Sequence, residues 1–329
     1  MNINGINLHS HLEGSCPIGS LGGMRRQSGM GDLNLDVEIN NLIDFSKIFG
    51  QCSRSFCKVE DFEFGTKEML INQHKFGIMY SEFRISPYFH VFEGNKDISN
   101  IIKMVKNGIR QAKEQCGIEA RFIIDSARHY GLDHAFTNFH WVADYFDPNY
   151  LVGFGIGGVE VSSDLRSFEK LFDEASAFKI PLSVHIGEVH ENNTDNLLYT
   201  LDYECVGGIG HGLSVKDLND EQKVRFSSTR KAVEVCLSSN IVMRFVNQAL
   251  EHPISYLYEN SIPFVLGTDD ETIFRTDFQQ ECRKAQAILN VKESVIHKIN
   301  LEAIEYAFCD QKTKFAIRNT LTQTICLEE

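Results

Sequence analysis

Apolar residues in this chain fall into short runs, and stretches with a helical period separate most of them. Eight runs have the length and composition of strands: residues 3–11, 77–85, 118–125, 151–156, 181–185, 208–211, 232–236 and 263–268. Between them, residues 164–178 carry Leu165, Phe168, Leu171, Phe172, Ala175 and Phe178 as one apolar stripe, with Ser163 or Asp164 able to cap it. Residues 98–115 repeat the pattern through Ile101, Ile102, Val105, Ile109 and Ala112, and a glycine and a strand follow. Strands that alternate with helices form a parallel sheet. Eight such units predict a closed (β/α)8 TIM barrel. It is a single domain over residues 1–329, since no linker-like stretch divides the chain. A doubly wound open sheet shares this alternation, but no G-x-G-x-x-G opens a helix after the first strand.

One stretch breaks the pattern. Residues 14–32 hold Gly14, Gly19, Gly22, Gly23, Gly29 and Gly31, with Arg25 and Arg26 between them. So much glycine disfavours regular helix. The stretch reads as a surface connection or as a mobile lid over the barrel mouth, because it directly follows the first strand.

Composition adds exclusions. A formal net charge of -13 argues against a general nucleic-acid binder and against anionic membrane surfaces. No run of 18 or more apolar residues is present, so no membrane span is expected. The nine cysteines are odd in number and include no C-x-x-C pair, which fits reduced thiols in a reducing compartment. The H-x-E then P-C-x-x-C zinc signature of cytidine-type deaminases is absent. Histidines needed as early as His9 leave no room for a cleaved targeting peptide, so a cytoplasmic protein is expected. In that compartment the Asn192-Asn193-Thr194 sequon has no role.

The candidate chemistry sits at the strand ends. N-L-H-S-H-L-E-G-S, residues 7–15, sets His9 and His11 two residues apart, with Glu13 two further on. On a strand these three share a face. Taken alone they describe either a polar strand edge or a metal site. S-V-H-I-G-E ends the fifth strand with His185, and Glu188 follows. G-I-G-H-G places His211 at the end of the sixth, and F-V-L-G-T-D-D brings Asp269 and Asp270 to the end of the eighth. All strands of a barrel finish at one face, the face that carries active sites. His9, His11, His185 and Asp269 should therefore converge. Three imidazoles and a carboxylate suit zinc, and Fe²⁺ or Mn²⁺ share these ligand types.

This ordered set resembles the adenosine deaminase family of the amidohydrolase superfamily over nearly the whole chain. H-S-H-L-E-G is similar to the family's first-strand H-x-H-L-(D/E)-G, and Y-S-E-F-R-I-S-P, residues 80–87, to its second-strand Y-x-E-x-R-x-x-P. G-I-G-G-V-E resembles the end of its fourth strand, and S-V-H-I-G-E, G-H-G and T-D-D match the remaining signatures. The resemblance implies a metal-dependent hydrolase barrel that converts adenosine or a modified adenosine to the inosine-type product and ammonia. It implies one zinc per chain on His9, His11, His185 and Asp269. Glu188 would be the acid that protonates a purine ring nitrogen. His211 would orient and deprotonate the attacking water, and Asp270 would hold the nucleophile or the purine edge. The Gly158 amide would contact another ring nitrogen, Glu13 would lie near the sugar, and Ser239, in C-L-S-S-N, would help line the site. The fourth strand, L-V-G-F-G-I-G-G-V-E, lacks the lysine that bridges two metals in superfamily relatives, so one metal is expected.

These residue types fit the chemistry. Hydroxide must add to an aromatic carbon, and the ring accepts electrons more readily when a carboxylic acid of raised pKa protonates it. Glu82 and Arg84 on the second strand are expected to form an ion pair inside the barrel wall.

Departures from the family pattern fall where substrate shape is read. Glu271 stands where proline often follows the two aspartates. Leu237 follows Cys236 in place of C-P, and the glycine-rich stretch replaces the helix after the first strand. Free adenine is the alternative substrate. Glu13 would repel a 5′-phosphate, whereas Arg25 and Arg26 could reach one if the stretch closed, which leaves an N6-modified AMP as a further alternative. A catalytically silent purine-binding barrel is countered by the complete ligand and acid set. A hydrolase of another ring amine, such as a pterin, is countered by the Gly158–Glu188 pairing that the resemblance implies.

Overall fold

The computed structural model describes residues 3–160, 164–188, 194–229 and 231–328. Its eight strands are β1 (Gly5–His11), β2 (Ile78–Ile85), β3 (Glu119–Ala127), β4 (Leu151–Gly157), β5 (Leu182–Ile186), β6 (Val206–His211), β7 (Ala232–Val235) and β8 (Phe264–Leu266). All pair in parallel and in sequential order. The ring closes between β8 and β1. The Thr268 and Asp269 amides donate to the His9 carbonyl, at 3.1 and 2.9 Å, and the His11 amide donates to the Asp269 carbonyl at 2.9 Å. The fold is the expected (β/α)8 barrel, and the residues that seal it are candidate metal ligands.

The helices are α1 (Leu12–Ser15), α2 (Ile18–Gln27), α3 (Leu42–Ser53), α4 (Glu60–Lys75), α5 (Ile98–Cys116) and their successors around the ring. α5 matches its sequence pattern. Asp97 caps it by accepting from the Ser99 and Asn100 amides, and Gly117 ends it at φ 85°, a left-handed conformation suited to glycine. The 164–178 segment divides into a 3₁₀ turn, Leu165–Phe168, and a helix, Glu169–Phe178, with Asp164 accepting from the Arg166 amide. Phe178 leaves the expected stripe and is 60% exposed.

Two expectations are corrected. The glycine-rich stretch is mostly helical: α1 and α2 cover Leu12–Ser15 and Ile18–Gln27. The glycines of α2 (Gly19, Gly22 and Gly23) together cost about 3 kcal/mol, but Leu21 and Met24 are buried in the core, and burying two such side chains contributes about 3–6 kcal/mol. Arg25 is buried as a brace, its Nε donating to the Gly31 carbonyl at 2.7 Å, and Arg26 faces Asp32. The stretch is neither a loop nor a lid.

The second correction concerns Glu82 and Arg84, which do not pair with each other. Glu82 sits at the barrel floor, where its Oε1 accepts from the Tyr80 hydroxyl and from the Phe308 and Cys309 amides. Arg84, higher on β2, pairs with Glu234 at 2.6 Å. Near the floor, Ile6, Leu8, Tyr80, Ala232 and Val265 pack against Ile304, Ile317 and Leu321 of the C-terminal helices, an apolar plug below a polar upper half.

Burial pushes the Glu82 carboxyl up from 4.5 to about 7. A carboxyl that is a weaker acid folded than unfolded stabilises the fold most below its unfolded pKa. That stability should drain away between about pH 4.5 and 7. Glu82→Gln keeps the oxygen acceptor without the charge. Its melting temperature should therefore fall less than the wild type's across that window, as scanning calorimetry against pH would show. An equal fall in both proteins would refute the assignment.

Candidate active site

The polar upper half of the barrel depends on missing side chains. A Cβ on Gly208 would lie 1.9 Å from Glu234 Oε1, and one on Gly155 would lie 2.5 Å from Asp125 Oδ1. Glycines on β4 and β6 thus leave room for carboxylates and imidazoles in the interior. β1 contributes a second device. Asn7 pairs with Ser81 and Ser10 with Phe83, so three steps on β1 span two on β2. This bulge lets Leu8 pack in the floor plug while His9 faces the polar layer. His9 and His11 both reach the site. Glu13 does not share their strand face, because β1 ends at His11 and Glu13 lies on α1.

The four candidate metal ligands converge as expected. Asp269 Oδ1 lies 3.5 Å from His11 Nε2 and 3.8 Å from His9 Nε2. The ring centroid of His185 lies 4.7 Å from that of His9 and 5.6 Å from that of His11. Ligand atoms of His9, His11 and Asp269, and of His9, His185 and His211, lie within 4.8 Å of one another. His9 Nε2 is buried without a hydrogen-bond partner among the described residues, while its Nδ1 is held by Glu234 at 2.6 Å. His185 Nδ1 faces the Ile156 carbonyl at 3.2 Å. In both rings the outer nitrogen is occupied and the inner one is left for a cation, the second-sphere arrangement of metal-binding histidines. Burial lowers the pKa of His9, His11 and His185, to about 3 for His11, so all three are neutral and fit to bind a metal.

Backbone conformation contributes as well. His211 and Asp269 have φ of 61° and 60°, a left-handed conformation that residues other than glycine seldom adopt. Gly14 packs so closely under Asp270 that a Cβ would lie 1.8 Å from its Oδ1.

Glu188 follows β5, its side chain 12% exposed. Burial first, then the charges of Asp269 and Glu160, push its carboxyl up to about 8, against the opposing pull of Arg128. It therefore carries a proton at neutral pH. Its Oε1 is 3.7 Å from His211 Nε2. Asp270 is buried, and among the described residues neither of its carboxylate oxygens has a hydrogen-bond partner; burial, then the Asp269 charge, raise its pKa well above the usual carboxylate range.

A cavity of about 160 Å³ opens over this centre. His11, Gly158, His185, Glu188, His211, Asp269 and Asp270 all line it. Its outer wall is largely aromatic and includes Phe45 and Phe49 of α3, so α3 covers the mouth where the glycine-rich stretch had been expected. Among the described residues no lysine or arginine lines it. Two expected substrate contacts are not brought to this wall. Glu13 is fully buried beneath it, its Oε1 accepting from the Ser86 amide and facing His90 Nε2 at 2.9 Å. Ser239 donates within its own helix turn to the Cys236 carbonyl at 3.2 Å, because Leu237–Val242 folds as a short helix that turns the hydroxyl inward.

Sequence reasoning missed the supporting shell. Glu234 of β7 holds both His9 and Arg84. Glu160 accepts from the Gly187 and Glu188 amides, at 2.9 and 3.1 Å, and so shapes the turn that presents the acid. Arg128 donates to the His185 carbonyl. Asp125, at the end of β3, lines the cavity with its pKa raised by burial to about 6. A charged residue inside a short apolar run, as in A-V-E-V, was the available signal.

A parallel barrel whose carboxyl ends gather four histidines, two aspartates and a buried glutamate of raised pKa has the make-up of a metal-dependent hydrolase. The model of the adenosine deaminase family matches residues 6–324, and the chain belongs to that family of purine aminohydrolases. It is 27% identical to an adenine deaminase of Rhizobium leguminosarum, over 96% of this chain and 98% of the relative. It is 25% identical to an adenosine deaminase of Clostridium perfringens, over 95% and 96% of the two chains. The adenine deaminase of Arthrobacter aurescens superposes with a TM-score of 0.88 at 19% identity, covering 98% of this chain and 99% of that one.

Proposed function

We propose that this enzyme hydrolytically removes the 6-amino group of a phosphate-free adenine compound, adenosine or a modified adenosine, with free adenine as the near alternative. The observation that carries the reading is a buried Glu188, its carboxyl pushed up to about 8, beside four converging candidate metal ligands. His9, His11, His185 and Asp269 would hold one zinc, a choice supported by three neutral imidazoles and one carboxylate. When bound there, zinc lowers the pKa of a coordinated water towards ~7. Glu188 delivers its proton to a ring nitrogen, so that the ring accepts electrons as water attacks. Asp270, whose oxygens have no hydrogen-bond partner among the described residues, holds the polar edge of the reacting centre. The Gly158 amide contacts the base. The aromatic wall excludes water and packs on the purine.

Two features bear on the substrate. Asp125, Glu188, Asp269 and Asp270 line a cavity that offers no cation among its described residues, which disfavours a 5′-phosphate. Glu13 is engaged beneath the wall, which supports a base as well as a nucleoside. Ser239 plays no direct part in this reading. The odd cysteine count without paired motifs supports cytoplasmic operation.

Ammonia release from adenosine, adenine, AMP and N6-methyl-AMP, with and without a chelator, tests this. Adenosine or adenine should turn over, and the chelator should abolish activity. The nucleotides should react on the order of 10²-fold less efficiently, given several kcal/mol of like-charge repulsion. Turnover of AMP alone would overturn the reading.

A further inference from the structure

His211 does not stand alone behind the site. Its Nδ1 meets Asn240 Nδ2 at 3.1 Å, Asn240 Oδ1 meets His252 Nε2 at 3.1 Å, and the Ile254 amide donates to His252 Nδ1 at 3.1 Å. All three side chains are buried, with at most 2% exposure. We propose that Asn240 and His252 are positioning residues that lock His211 with its proton on Nε2, through a hydrogen-bond relay whose direction is set by the Ile254 backbone amide. The inference rests on the deaminase reading, in which the family resemblance puts His211 beside the attacking water.

Each step is forced by donor and acceptor capacity. A backbone amide can only donate, so His252 Nδ1 must accept and carries no proton. Burial holds the His252 imidazole down at about 3, so the ring is neutral. Its single proton is therefore on Nε2, where it donates to Asn240 Oδ1. That fixes which way the Asn240 amide points, and its NH₂ then donates to His211 Nδ1. Because Nδ1 accepts, the proton of the His211 ring is on Nε2, the nitrogen 3.7 Å from Glu188. His211 thus offers a donor to the reacting centre. It would orient the attacking water by its N–H, and the water's proton would pass to the Asp269 carboxylate and from there to the departing ammonia. This revises the deprotonating role that the family resemblance implies for it.

The test is direct observation of the tautomer. In zinc-loaded protein labelled with ¹⁵N-histidine, two-bond ¹H–¹⁵N spectra distinguish Nε2–H from Nδ1–H, with His211 identified by its loss in His211→Gln. The wild type should show Nε2–H. In Asn240→Asp the carboxylate accepts from both rings, so His211 should switch to Nδ1–H. In that variant kcat should fall about 10–100-fold, the usual effect of losing an outer-shell partner, with little change in KM. His252→Gln, which retains an N–H donor towards Asn240, should recover activity that His252→Leu loses.

In the wild type, Nδ1–H, a doubly protonated ring or metal ligation through His211 Nε2 would overturn the relay. So would an unchanged tautomer in Asn240→Asp. An active wild type with the wrong tautomer refutes the relay alone. A wild type with the Nε2–H tautomer and no activity on any adenine compound refutes the reaction assignment and leaves the relay standing.

Discussion

Glu188→Gln should lower kcat by about 10²–10⁴-fold, the range of general acid catalysis, while one metal ion per chain is retained. The substitution keeps the size and hydrogen-bonding outline of the side chain and removes the transferable proton. Glu188 holds that proton at neutral pH because burial, the largest cause, raises its carboxyl to about 8. A bound cation would offset the Asp269 charge, the second cause, and leave burial in place. The turn presenting Glu188 is held through backbone amides that donate to Glu160, so the variant should keep its local structure. The candidate ligands His9, His11, His185 and Asp269 do not include Glu188. Steady-state kinetics with elemental analysis of the purified variant would check both halves. Loss of the metal would show that Glu188 is a ligand, and near-normal turnover would show that another group supplies the proton.

Glu234→Leu should act on stability and metal affinity together. One Glu234 oxygen faces both Arg84 and His9 Nδ1, at 2.6 Å each, and Ser183 donates to the same carboxylate. Removing it strands a fully buried guanidinium, which costs about 3–5 kcal/mol. It also frees the outer nitrogen of His9, which should weaken metal binding about 10–100-fold. Urea denaturation reads the first effect and competition with a chromophoric chelator reads the second. A double variant separates them. Arg84→Met with Glu234→Leu removes both buried charges and should recover much of the lost stability. It cannot restore the partner of His9, so metal affinity should remain low. Recovery of both would mean that Glu234 acts on the metal site only through folding.

The eight strands, and the convergence of the candidate ligands at their ends, were legible because both rest on short-range pattern. An apolar run of strand length next to a helical repeat predicts a β/α unit, and barrel geometry puts every strand's carboxyl end at one face. Glu234 was not legible, since its neighbours describe only a buried strand and its partners lie on β1, β2 and β5. The Glu82–Arg84 pair was misread for a related reason. Two residues apart on one strand they share a face, but the interior is layered. Glu82 met backbone amides at the floor and Arg84 met a carboxylate above. The glycine-rich stretch failed differently. Intrinsic propensity disfavours helix there, and burial of Leu21 and Met24 overrides it.

The sequence by itself determined the barrel, its strand order and which candidate metal-ligand types gather at the strand ends, because periodicity and residue chemistry are local properties of the chain. Tertiary structure alone decided which carboxyls hold protons, which imidazole nitrogens are left open, and which expected contacts turn away from the cavity. Those properties depend on burial and on partners far apart in the chain: Glu188 beside Asp269, His9 against Glu234, and His211 at the end of a relay that begins at Ile254.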